Sequence, residues 1–140
     1  IRVDRSLGTL IGEFIVHGHD IAAALGRSWP IDPEHVPMVL TGMHQIMPGW
    51  LDHDAAAGHT ATYHVRLRGG PMQIYAFRDG ALTIGESGRP DVRISARPAT
   101  WLLLVYGRGN PARAALTGKV VAYGRKPWLA PGLAKRFLPP

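Results

Sequence analysis

Thr60-Ala61-Thr62-Tyr63-His64-Val65-Arg66-Leu67 alternates apolar and polar residues without a break, which puts Ala61, Tyr63, Val65 and Leu67 on one face. A period of two is the mark of a half-buried strand. Upstream of Gly58 the apolar residues recur at helical spacing instead, so this stretch is where the chain passes from helix to sheet. Downstream, Gly69-Gly70 turns into a second strand, Met72 to Phe77. Asp79-Gly80 signals a tight hairpin, because both residue types tolerate positive φ, and Ala81 to Ile84 is the returning strand. Asp91 to Ser95 reads as a fourth strand and Lys119 to Tyr123 as a fifth, closed by Gly124. Between them Pro98 opens an apolar helix through Tyr106 that Gly107 stops, and Asn110-Pro111 opens a brief one from Ala112 to Leu116. The tail from Trp128 to Phe137 looks helical, with an interruption at Pro131-Gly132. The expectation is an α+β fold whose second part, 58–140, is a five-stranded, mainly antiparallel sheet with helices on one face.

The first part, 1–57, reads as a helical hairpin. Leu7, Leu10, Ile11, Phe14, Ile21 and Leu25 form an apolar stripe on a helix over 4–25, and Gly26 is a natural stop. Asp32 is placed to cap a second helix, with Pro33 at its first position, running through Val36, Val39, Leu40, Met43 and Ile46 to about Met47. Pro48-Gly49 ends it, and Asp52 to Gly58 reads as a linker. The chain begins at Ile1 and enters a helix almost at once, as expected of a fragment or a trimmed chain.

Charge divides at the same place. Residues 1–57 carry three Arg against seven acids, a net of −4, whereas 58–140 carry ten Arg and three Lys against three acids, a net of +10. The basic residues are dispersed along strands and no groove-reading motif accompanies them, so a nucleic-acid partner is not expected. An anionic or apolar small molecule is the expected ligand. Cysteine is absent, which removes disulfides and thiolate ligands and fits the cytoplasm. No apolar run is long enough to suggest membrane insertion. No Gly-rich phosphate loop, serine-nucleophile motif or paired-carboxylate constellation appears. The sequence leaves the oligomeric state open.

Chemistry concentrates in Glu13-Phe14-Ile15-Val16-His17-Gly18-His19-Asp20. Glu13 and His17 lie four residues apart and share a helix face, where carboxylate and imidazole can hold one divalent metal or simply form a helix-supporting surface contact. Asp20 keeps to that flank, either as an orienting partner behind the metal ligands or as a contact to the hairpin. His19 is expected to face solvent, and His44 and His53 to lie at the surface or at a helix end. In the second part, Trp101, Leu104 and Tyr106 are candidates for lining a ligand pocket or for the core, and Arg108 and Arg125 are candidates either for capping carbonyls or for meeting an anionic ligand.

From residue 60 on, Gly107-Arg108-Gly109-Asn110-Pro111, then Ala114-Ala115-Leu116-Thr117-Gly118-Lys119-Val120, a following Gly and an amphipathic tail resemble the sterol carrier protein type 2 family. The resemblance implies a twisted five-stranded sheet with helices on one face and an apolar tunnel between them for lipids or acyl chains. Glu13-x-x-x-His17-x-x-Asp20-Ile21-Ala22-x-Ala24-Leu25-Gly26 resembles a helix of the DinB-like bundle in mycothiol-dependent maleylpyruvate isomerases. Those proteins join such a bundle to a sterol-carrier-like domain. This second resemblance implies that Glu13 and His17 are metal ligands, most simply of zinc, with a further His from an earlier helix. It implies mycothiol as thiol cofactor and cis-trans isomerisation, or a related thiol transfer, as the activity. The alternative is a carrier domain for apolar ligands without catalysis.

Overall fold

The computed structural model describes residues 3–85 and 88–138. Helix α1 (Val3–Ala24) is followed by α2 (Val36–Met43), a 3₁₀ turn and the short α3 (His53–Ala56). Strands β1 (Ala61–Leu67), β2 (Met72–Arg78), β3 (Ala81–Ile84) and β4 (Val92–Ala96) come next. Helices α4 (Pro98–Val105) and α5 (Pro111–Leu116), strand β5 (Val120–Tyr123) and a broken helical tail around α6 (Ala130–Leu133) complete the chain. The sheet order is β3-β2-β1-β4-β5. All neighbours are antiparallel except the central pair, β1 and β4, which run parallel with Tyr63 opposite Val92.

The alternation of β1 is realised residue by residue: Ala61, Tyr63, Val65 and Leu67 are buried, and Val92, Ile94 and Ala96 of β4 join them. Tyr63 stands opposite Tyr75, and its ring meets Phe77 edge-on at 5.9 Å. The opposite face carries Arg66 and Arg93, both exposed, so one face of the sheet is covered and the other is wet. The β2–β3 turn has Asp79 at φ 49° and Gly80 at φ 83°, the positive pair expected of Asp-Gly. Trp101 and Leu102 of α4 and Leu133 of α6 close the covered face.

Val16 of α1 and Val36, Val39, Leu40 and Met43 of α2 belong to the same buried cluster as the strands, so the helices share one core with the sheet. Helix α1 turns a face of small residues inward. A side chain at Gly42 would strike the backbone of Arg5 and Thr9, one at Gly8 the carbonyl of Met38, and one at Gly12 the Tyr106 phenol. The stripe read as its core-facing side does the opposite: Leu7, Leu10, Phe14, Ile21 and Leu25 are exposed, Phe14 at 71%. Only Ile11 of that stripe packs against the core. Helix α2 is shorter than the periodicity predicts. Asp32 accepts from the Glu34 amide, which makes a turn, and regular helix starts only at Val36. The expected linker contains α3 instead, whose cap Asp52 accepts from the amides of Asp54 and Ala55. No helix among the described residues is long and apolar enough to cross a membrane.

Candidate functional site

Glu13 and His17 do meet. His17 Nε2 lies 3.1 Å from Glu13 Oε2, and both side chains are about half exposed or more. No group of three or more His, Cys, Asp or Glu capable of holding a metal occurs among the described residues. Catalytic zinc takes three protein ligands, so these two donors do not assemble such a centre.

Asp20 is engaged by Arg108. Its carboxylate accepts from Arg108 Nη2 at 2.8 Å and from Arg108 Nε at 3.3 Å. That hydrogen bond, more than the attendant charge, holds the Asp20 carboxyl below its ordinary range. Arg108 also donates to the Tyr106 carbonyl at 2.6 Å, closing the C-terminal end of α4. Two residues read as separate candidates are thus each other's partner. Arg125 stands apart, 3.6 Å from Asp91, whose other oxygen accepts from the Thr62 amide.

Trp101 and Tyr106 are in the core, and Leu104 is half-buried beside them. The Trp101 indole nitrogen and the Tyr106 hydroxyl are buried with no hydrogen-bond partner among the described residues. Burial, reinforced by the Glu13 charge, pushes the Tyr106 phenol up to about 12. Trp101, Leu102, Tyr106 and Leu133 belong to the buried cluster shared with the sheet.

His44 lies at a helix end, one of its two expected places, capping α2, but it is half-buried there: its Nε2 sits 2.9 Å from the Tyr75 hydroxyl, and burial brings its pKa down to about 4. His19 is only 29% exposed in its side chain, with Nδ1 3.6 Å from Asp20. It follows the inward-turned face of α1 into a cleft.

Among the described residues, two surface clefts stand out. One, of about 630 Å³, lies between the Pro48–Leu51 turn, the end of α3 and the β2–β3 hairpin, with Pro48, Leu51, Ala57, Ala81 and Leu82 among its walls. The other, of about 290 Å³, lies between the end of α1, the following loop and the first turn of α4. None of the pocket candidates Trp101, Leu104, Tyr106, Arg108 or Arg125 lines either cleft. The clefts draw their walls from segments far apart in sequence, and no local motif announces them. The Pro48-Gly49 and Asp79-Gly80 breaks were the only signals near the larger one.

Fold and clefts together define an α+β domain with one covered sheet face and surface clefts of ligand size. Residues 45–124, more than half of the chain, match the SCP-2 sterol transfer family, and the chain belongs to that family. No curated protein matches the sequence. Among solved structures, the stereoselective inverting sec-alkylsulfatase Pisa1 from Pseudomonas sp. is similar over 69% of this chain and 16% of its own, at 20% identity and TM-score 0.58. This chain therefore spans a small part of that enzyme's length. The sterol carrier protein domain 2 of Helicoverpa armigera is similar over 69% of this chain and 83% of its own, at 21% identity and TM-score 0.51. Sterol Carrier Protein 2 Like 2 from Aedes aegypti is similar over 69% and 94%, at 20% identity and TM-score 0.50. Likeness at these identities is one of fold.

Proposed function

We propose that this chain is a binding domain for an apolar ligand such as a lipid or acyl chain, and that the ligand seats in the cleft between the Pro48–Leu51 turn and the β2–β3 hairpin. The observation that carries this reading is the cleft itself. Its volume of about 630 Å³ lies within the range of about 300–1,000 Å³ usual for small-molecule sites. Its walls are mainly apolar, and all of its lining residues fall inside the stretch that matches the family. Burying a chain there gains on the order of 0.8 kcal/mol per methylene removed from water. His53 and Asp79 at the rim leave a polar end for a headgroup.

The test is titration with a fluorescent fatty acid. Ala81 is exposed in β3, so Ala81→Trp fills the mouth without disturbing the core. It should weaken binding at least tenfold with no change in melting temperature. Unchanged affinity would remove this cleft as the site, and no uptake by the unmodified chain would remove the carrier function.

A second reading, a thiol-dependent metalloprotein using zinc and mycothiol, has one observation in its favour: Glu13 and His17 lie side by side and open to solvent. It requires a third ligand from outside the described residues.

A further inference from the structure

The smaller cleft differs in kind from the apolar one. One wall is the end of α1 and the loop after it, with His19, Arg27, Trp29 and Ile31; the other is the first turn of α4, with Thr100, and Lys119 just before β5. Arg27 and Lys119 form no ion pair among the described residues. No acidic residue lines the cleft. The two carboxylates closest in sequence are engaged elsewhere, Asp20 by Arg108 and Asp32 by the Glu34 amide.

The helix beside the cleft adds to this positive character. Arg97, in the cap position of α4, offers no side-chain acceptor to the first turn, so the helix presents amides rather than a carboxylate there. His19 Nδ1 is buried and makes no hydrogen bond among the described residues, with Asp20 Oδ1, on the carboxylate held by Arg108, 3.6 Å away. The aromatic wall is built in: the Trp29 ring lies against Gly18, where any side chain would collide with it. Leu103 and Ile31 add apolar surface beside the charged groups.

We propose that this cleft binds a small organic anion, with its carboxylate between Arg27 and Lys119 and its apolar body against Trp29, Ile31 and Leu103. A volume of about 290 Å³, about ten waters at their liquid volume, suits a single-ring or short-chain carboxylate and not a lipid. The site is independent of the apolar cleft, since the two share no lining residue.

The experiment uses benzoate as probe and benzyl alcohol as its uncharged counterpart, followed by chemical shifts of the Trp29 indole and the Thr100 amide. Vesicles of phosphatidylglycerol serve as a second anionic surface. Benzoate should saturate both signals, benzyl alcohol should bind at least tenfold more weakly, and added salt should weaken benzoate. The double variant Arg27→Gln/Lys119→Gln should lose at least tenfold in benzoate affinity, and Arg27→Lys/Lys119→Arg should retain it. Both residues are exposed, so these variants leave the core intact. Equal binding of benzoate and benzyl alcohol, or unchanged benzoate affinity in the Gln variant, would overturn the proposal. So would charge-dependent binding to the vesicles with no response to benzoate.

Discussion

Asp20 and Arg108, 88 positions apart, close a two-toothed ion pair between α1 and the loop that follows α4. The same guanidinium holds the Tyr106 carbonyl, so one side chain both finishes α4 and fastens α1 to it.

Asp20→Asn should lower the melting temperature at neutral pH. The native carboxyl titrates below the ordinary 3.8 because Arg108 donates to its charged form. The stabilisation is therefore complete above the unfolded-state value and is lost as pH falls through the lower native one. Thermal unfolding of both proteins from neutral to acid pH should show the gap narrowing below 3.8. A gap independent of pH would mean that the pair contributes shape and not charge.

His44 gives an acid sensitivity of the same direction, from burial and not from a partner, and at higher pH. Burial lowers its pKa from 6.5 to about 4, so the unfolded chain takes up a proton before the folded one does. Stability is complete above pH 6.5 and declines from there down to about 4, by an amount on the order of 2–3 kcal/mol. In His44→Gln this decline should be absent from denaturant midpoints measured across that window. An unchanged slope would assign the titration to another group.

The close approach of the first two helices can be weighed against a simple backbone effect. Gly42→Ala drives a methyl into the backbone of Arg5 and Thr9 and should cost about 1–3 kcal/mol in urea unfolding. Gly26→Ala meets nothing within 4 Å and carries only the strain of φ 63°, about 1 kcal/mol. If Gly42→Ala is the milder of the two, the helices do not meet as described.

Zinc titration of this chain should show weak binding that His17→Ala removes. Two donors cannot fix the geometry of the ion, and metal affinity follows the number of ligands in place. Tight binding would reveal a third ligand; binding indifferent to His17 would end the metal reading.

What was legible in the sequence follows from how each element is stabilised. β1 buries large side chains at every second position, so its face could be read from Ala61, Tyr63, Val65 and Leu67. The β2–β3 turn was legible because Asp79 and Gly80 meet a backbone requirement that few residues satisfy. Helix α1 was misread because Gly8, Gly12 and Ala22, which carry little hydrophobic weight, make up much of its inner face beside Val16, Ile11 and Ile15. Its outer face carries Leu10 and Phe14. Close backbone packing selects for absent side chains, and an apolar-periodicity argument is blind to absence. The helix-end position of His44 was legible but its burial was not, because its partner Tyr75 lies 31 positions away. Both clefts were beyond reach, since their walls join segments that only the folded topology brings together.

The glycine contacts between α1 and α2 also bear on how the molecule can move. Gly8 and Gly42 bring main chain against main chain, leaving no layer of side chains over which the two rods can slide. Helix α1 is also tied at its other end, where the Asp20–Arg108 pair stands next to His19 at the edge of the cationic cleft. It is thus held by main chain at one end and by charge at the other, two attachments that respond to different solvents: salt and acid weaken the second and leave the first.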